Sequence, residues 1–342
     1  MRNKFYSVIT ASLIIATITV PASVSLFGNN SFYNSSTDVI KTSDIIENTP
    51  TATETDSKTP VSDIKNSECV YNTLSLHDNE LTVLSMDEAN EMIQNAEADY
   101  NKNGISYISE KKRYAESIMS NINVDSSINK SYIYHMMLNS IDYFNTAKGS
   151  IEYSFGGSEP VTTEFFTNIS EQYAYEKECL SDGSIDELYV YDGEGYKKND
   201  EYGIYETFIC SESGEFNISD NNRVVMLDDG HILNINRKDT TNLAVSGNTC
   251  LFPQQFAMSK MYNFDNWNIT GYEEIMGRNC AVIEGVTENS KFKMAIDIDY
   301  GFMIDYEELS ENNDIISYSK VLDLKNDIVV EKRVIESKIN NK

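Results

Sequence analysis

The sequence predicts an α+β fold, in which an antiparallel sheet carries helices on one face and is preceded by a small helical segment. Two observations predict it. From about residue 150 onward, short runs alternate apolar and polar side chains with a period of two, as strands with one buried face do. Two segments, 129–144 and 253–264, instead space their apolar residues as helices do, so each has an apolar side that must be covered.

The N-terminus has the features of a secretory signal peptide over residues 1–22. A short basic start is followed by the apolar run Phe5–Val20, and the mature chain is expected to begin near Ser23. The alternative is an uncleaved membrane anchor, because the apolar run can be counted on to Phe27. In both cases the N-terminal segment enters the membrane during export, and the protein is expected outside the cytoplasm, secreted or associated with the cell envelope.

Residues 23–67 form a linker rich in Ser, Thr and Asn, with too few large apolar side chains to offset the entropy of an ordered chain. The whole chain carries a net charge of -27. Loss of Arg2 and Lys4 with the leader leaves 25 basic and 54 acidic residues, a net charge of -29. A negative charge of this size repels nucleic acid and anionic lipid surfaces. It is consistent with a charge that only keeps the protein soluble, and also with the binding of a basic partner.

A helical segment is predicted over residues 68–127. Ser85 and Glu88 have the spacing of a capping box, so a helix begins there and ends near Gly104. A second helix is predicted over Ser109–Met119. This segment is expected to form a helical cap or a separate arm.

The remaining residues, 128–342, are expected to form one large domain. It opens with a third helix, Asn129–Phe144, and is later interrupted by a helix that has Pro253 at its first position. A hairpin turn is predicted at Asp228–Gly230, with His231 beside it.

The C-terminal quarter has the clearest strand pattern. The runs Phe292–Ile298 and Phe302–Tyr306 alternate apolar and polar residues on either side of a tight turn at Asp299–Gly301. Two more strands are expected, Ile315–Leu322 and Ile328–Ile335, with a break between them. This order indicates an antiparallel meander.

Several of these patterns resemble the lipoprotein-carrier fold family that includes LolA, LolB and the RseB/MucB regulators. The matching positions in the C-terminal hairpins are Glu273, Gly277, Arg278, Ile283, Ile296, Asp297 and Gly301. Met137–Phe144 followed by Ala147–Tyr153 resembles the opening helix and first strand of that family, and Leu188–Gly193 resembles its mid-sheet hairpin. The resemblance covers about residues 128–336. It implies that the sheet is curved into an incomplete barrel with the helices on its concave face.

The resemblance also implies a binding surface on the concave face, where carriers of the family hold acyl chains. The side chains expected to line it are apolar or aromatic: Ile151, Tyr153, Phe165, Tyr173, Tyr175, Phe292, Met294, Ile296, Phe302, Ile304 and Tyr306. A lipid or acyl ligand is one hypothesis. The other is an envelope scaffold or regulator that binds a protein partner, in which the helices fill the concave face. An open cavity would favour the first, and a filled face would favour the second.

No catalytic or metal-ligating arrangement stands out. Three histidines lie far apart and form no ligand-spaced pair: His77, His135 and His231. Asp297 and Asp299 form a plain turn, since an EF-hand has glycine at the loop position that Phe302 occupies here. Five cysteines lack any Cys-x-x-Cys spacing, which predicts no zinc and at most one disulfide: Cys69, Cys179, Cys210, Cys250 and Cys280. We therefore expect a binding protein rather than an enzyme, without catalytic residues, metal or cofactor.

Overall fold

The computed structural model describes residues 80–104 and 124–329, apart from residues 192, 200–202, 210–215, 239 and 241–245. The predicted signal peptide, the linker, the helix over Ser109–Met119 and most of the strand over Ile328–Ile335 lie outside these ranges. None of the helices in the described ranges has the length and apolar character of a membrane span. The boundaries predicted at residues 22, 67 and 127 stay predictions.

Eleven antiparallel strands form one large curved sheet that does not close into a barrel, which confirms the predicted fold class. In chain order they are β2 (Thr146–Ser154), β3 (Val161–Asn168), β4 (Tyr173–Cys179), β5 (Ile185–Tyr191), β6 (Glu194–Asn199), β7 (Gly203–Ile209), β10 (Trp267–Ile275), β11 (Arg278–Val286), β12 (Lys291–Asp297), β13 (Met303–Leu309) and β14 (Ile315–Asn326). The first six and the last five are two meanders, joined where β14 pairs with β2. Strands β7 and β10 form the two edges of the sheet.

The turn between β12 and β13 holds the sheet against a helix. The amide of Gly301 donates to the carbonyl of Asp297 at 2.8 Å, and Gly301 has a φ of 73°. A Cβ atom at this position would collide with the carbonyl of Met136. Glycine is therefore required here both for the turn and for the close approach of the helix.

The predicted break after Leu322 is wrong, because β14 continues to Asn326. Its second half pairs with β2, Leu324 with Gly149 and Asn326 with Ala147, after a bulge between Val321 and Asp323. The residues of this half pair with residues 173 to 179 positions away in the sequence, so the local pattern alone does not reveal that the strand continues. The turn falls instead at Asp327, with a φ of 53°.

The helices are α1 (Met86–Asn103), α2 (Ser127–Leu138), α3 (Asn248–Leu251) and α4 (Gln254–Phe256), with a π-helix at Ala257–Met261 and 3₁₀ turns at Ser140–Asp142, Asp220–Asn222 and Phe264–Asn266. The capping box of Ser85 and Glu88 is present, and α1 ends at Gly104 as predicted. Helix α2 stops at Leu138 and is continued by a 3₁₀ turn, so the predicted third helix is shorter than expected.

The prediction of one regular helix over residues 253–264 is wrong, because the segment consists of three short helical turns of different types. Pro253 lies at the cap of α4, which passes directly into the π-helix and then a 3₁₀ turn. Side chains take over carbonyls that a regular helix would pair with amides: the indole of Trp267 donates to Met261 O at 2.9 Å, and Lys130 Nζ donates to Phe264 O at 2.9 Å. Tertiary hydrogen bonds therefore decide the shape of this segment.

A second, three-stranded sheet contains β1 (Val83–Leu84), β8 (Val224–Leu227) and β9 (Ile232–Asn234), with β1 parallel to β8. The turn between β8 and β9 is the hairpin predicted at Asp228–Gly230. Helix α1 buries Ala89 and Ala96 in a cluster with Ile218 and Val225. The N-terminal helical segment therefore packs on residues that come much later in the chain.

Candidate functional site

Four of the residues predicted to line a ligand site lie under α2 and the 254–266 segment: Phe292, Met294, Ile296 and Tyr306. Each is at most 2% exposed. The rings of Phe256 and Tyr306 meet edge to face with their centroids 4.8 Å apart. Side chains of the helical segment therefore fill the space over these strands.

Five further predicted residues belong to a second part of the core, under α3 and the end of the α2 region: Ile151, Tyr153, Phe165, Phe302 and Ile304. The ring of Phe144 packs on Phe302 at 4.9 Å and on Phe252 at 5.7 Å. Gly247 lies directly on Phe165, where a Cβ atom would come within 2.7 Å of the ring. This part of the face is also in direct contact with helical residues.

Tyr173 and Tyr175 were expected on the concave face, and this expectation is wrong. Both side chains lie on the opposite face of the sheet. Phe165 pairs with Glu176, whereas Tyr175 pairs with Phe166 and Tyr189. Directly paired residues of antiparallel strands share a face, so β4 turns its tyrosines away from the helices and its glutamates toward them. The tyrosines belong instead to an aromatic cluster on the outer face.

A buried ion pair fastens the helical segment to the sheet. Lys260 Nζ lies 2.9 Å from Glu308 Oε1, which also accepts from the hydroxyl of Ser290 at 2.6 Å. The hydroxyl of Tyr306 donates to Glu308 Oε2 at 2.7 Å. Burial would raise the pKa of Glu308, but the charge of Lys260 and these hydrogen bonds outweigh it and hold the pKa below its usual value.

A second polar cluster joins the small sheet to helices α2 and α4 through Arg223, whose side chain is fully buried. Its guanidinium donates to Leu138 O at 2.9 Å and to Gln254 Oε1 at 2.7 Å, and lies 3.6 Å from Asp220. His135 Nδ1 is 2.5 Å from Asp220 Oδ2. Burial would raise the pKa of Asp220, but His135 and Arg223 together hold it well below the usual range. Pairing with Asp220 gives His135 a structural role in this cluster.

An open cleft of about 560 Å³ lies between α1 and the chain around the 3₁₀ turn at Asp220–Asn222. It is lined by Glu88, Glu91, Met92, Asn95, Ala96, Asp99, Asn217, Ile218, Ser219 and Asn222. No basic side chain is among the described residues that line it. The sequence reasoning missed this cleft, although the spacing of Glu88, Glu91 and Asp99 places three carboxylates on one face of the predicted helix.

The remaining candidates for chemistry have local roles. His231 pairs with Asp229 at 2.9 Å in the β8–β9 turn. Asp297 accepts from the amide of Asp299 at 2.8 Å and from Arg278 at 2.7 Å. Cys179, Cys250 and Cys280 are free thiols, and Cys69 and Cys210 lie outside the described residues. Within the described part of the chain, no three His, Cys, Asp or Glu side chains converge as metal ligands.

No protein-family model and no curated protein matches the chain. Solved structures do resemble it. A chain of the Pseudomonas aeruginosa MucA/MucB complex is similar over 60% of this chain and 59% of its own length, with 14% identity and a TM-score of 0.34. This chain therefore spans about three fifths of that relative.

Two further structures show the same likeness. LprF from Mycobacterium bovis is similar over 61% of this chain and 98% of its own, with 9% identity and a TM-score of 0.34. A putative outer membrane lipoprotein-sorting protein domain from Vibrio parahaemolyticus is similar over 60% and 96%, with 7% identity and a TM-score of 0.24. The solved structures similar to this chain thus include MucB and a lipoprotein-sorting domain, the kinds of protein that the sequence resembles.

Proposed function

We propose that this protein is an exported cell-envelope protein that binds a protein partner through the cleft beside α1, while its half-barrel serves as a filled scaffold. One observation carries the proposal. The open concavity of about 560 Å³ lies beside α1, whereas the apolar face expected to hold a ligand is in contact with helical side chains. The protein is then a binding protein rather than an enzyme.

The charge of the cleft indicates the chemistry of the partner. Glu91 is exposed on α1, and Asp99 is held in place by Asn217 Nδ2 at 2.6 Å. The backbone amide of Ser85 lowers the pKa of Glu88, so this carboxylate is ionised as well. A segment rich in Lys and Arg complements these groups, and the strongly negative chain would steer it toward the cleft.

We expect Glu91→Lys to weaken partner binding by roughly tenfold, because the substitution reverses a charge in the cleft. The mature protein, residues 23–342, is immobilised and challenged with solubilised envelope proteins from its own cells. Glu97→Lys is the matched control, since Glu97 is exposed on α1 but does not line the cleft. A protein retained by the unmodified chain and by Glu97→Lys, and lost from Glu91→Lys, supports the proposal. Equal retention by all three chains contradicts it.

A hydrophobic ligand between the helices and the sheet is the second candidate. The observation that favours this candidate is the irregular helical segment that packs on the sheet. Its π-helix contributes Met258 and Met261, whose side chains adapt readily to different shapes. Opening of this segment would expose the predicted ligand-binding residues.

Uptake of a fluorescent fatty acid decides between the two candidates. We expect no stoichiometric uptake by the unmodified chain, because helical side chains occupy the space. Phe256→Ala is the positive control, since it removes the ring that packs on Tyr306 and leaves a cavity. One fatty acid bound per unmodified chain would instead support the binding of a hydrophobic ligand between the helices and the sheet.

A further inference from the structure

A row of oxygen-bearing side chains crosses β3, β4 and β5 on the helix-covered face. Thr163 pairs with Glu178, and Glu178 pairs with Asp186, so the three side chains are neighbours on one face. Thr163 is fully buried, Glu178 is 3% exposed, and Asp186 is half-buried. The row lies where a sheet normally packs apolar residues, so its polarity requires an explanation.

Two atoms of this row lack a hydrogen-bond partner. Glu178 Oε1 accepts from the hydroxyls of Tyr153 and Ser246, both at 2.6 Å. Glu178 Oε2 and Thr163 Oγ1 are fully buried, and neither has a partner among the described residues. Leaving such groups unsatisfied costs free energy, and in native proteins an ordered water or ion commonly satisfies them.

The charges point to an ion rather than to water alone. Glu178 and Asp186 are like charges placed directly opposite each other, an arrangement that is destabilising without a counter-charge. Neither carboxylate forms an ion pair within the described ranges of the chain.

We propose that Thr163, Glu178 and Asp186 form a site for a hard divalent cation. The cation would accept Glu178 Oε2, Thr163 Oγ1 and the carboxylate of Asp186 as oxygen ligands, and it would neutralise the opposed charges. The site departs from the absence of metal predicted from the sequence. The proposed ligand set consists of two carboxylates and one hydroxyl group rather than three acidic side chains.

Calcium fits this site better than magnesium. Calcium accepts six to eight oxygen ligands in flexible geometry, whereas magnesium retains several of its own waters and demands a regular octahedron. Glu178 Oε2 and Thr163 Oγ1 are fully buried, so a cation bound to them would have given up most of its own water. Calcium sites outside the cytoplasm commonly bind in the 0.1–1 mM range, roughly.

The test is the thermal unfolding of residues 23–342 after treatment with a chelator. We expect about 1 mM calcium to raise the Tm by about 2–4 °C at constant ionic strength, and magnesium to raise it less. Glu178→Gln keeps an oxygen for Tyr153 and Ser246 but removes the charge, and should abolish the shift. Glu164→Gln, on the opposite face of β3, should keep it.

Calorimetric titration with calcium gives the stoichiometry, which is expected to be one ion per chain. Asp186→Asn is a second variant with the same expected loss, for use if Glu178→Gln does not fold. A Tm of the unmodified chain that is unchanged by calcium overturns the site and leaves a shared proton between the two carboxylates. The same calcium shift in Glu178→Gln and in the unmodified chain overturns it as well.

Discussion

Replacement of Ile296 by aspartate should lower the free energy of unfolding by about 3–5 kcal/mol. Ile296 lies on β12 and is completely buried, in an apolar cluster with residues of α2 and of the π-helix. The new carboxylate would have no counter-charge there, and the apolar contacts of the isoleucine would be lost with it. Thermal or denaturant unfolding of the variant and the unmodified chain measures the difference.

The matched control is Lys293→Asp on the same strand. Lys293 points to the outer face, with 54% of its side chain exposed, and pairs with Glu284 at 2.6 Å. The substitution loses this pair and adds a like charge, but exposed ion pairs contribute about 1 kcal/mol or less. If Lys293→Asp were the more damaging change, the register of β12 would be inverted.

Arg223→Met should also be strongly destabilising, by about 3–5 kcal/mol, because it removes one partner of a buried ionic cluster. Methionine has a similar volume but cannot donate to Leu138 O or to Gln254 Oε1. It also leaves Asp220 with less compensating charge in the interior. The loss should appear in denaturant unfolding as a lower transition midpoint.

Lys198→Met serves as the control for Arg223→Met. Lys198 is half-buried on β6 and lies 3.8 Å from Glu187, so its loss should cost less than about 1 kcal/mol. An Arg223→Met chain as stable as Lys198→Met would show that the cluster does not hold the small sheet to helices α2 and α4. Such a result would also remove the structural role assigned to His135.

The sequence predicted the strands well where a single strand carries its own alternation. In β12, Phe292, Met294 and Ile296 are buried and Lys293 is exposed, as the period of two requires. The capping box of Ser85 and Glu88 was equally visible, because both of its hydrogen bonds join residues three positions apart. Interactions of this range depend on local sequence alone.

Strand β4 shows where local pattern fails. Its alternation is correct, but tyrosines were expected on the helix-covered face and the structure places Glu176 and Glu178 there. The glutamates are stabilised by hydrogen bonds from Ser246 and Tyr153, which lie 68 and 25 positions away from Glu178. The order of polar and apolar residues along β4 cannot reveal hydrogen-bond donors that come from another part of the chain.

The sequence by itself thus determined the antiparallel sheet and the positions of helices α1 and α2. Only the tertiary structure decided which face of β4 is covered, how far β14 extends, and where the open cleft lies. The physical reason is the same in each case. Strand length and the burial of polar groups depend on hydrogen-bond partners that are remote in sequence, and a cleft exists only where α1 meets residues 217–222.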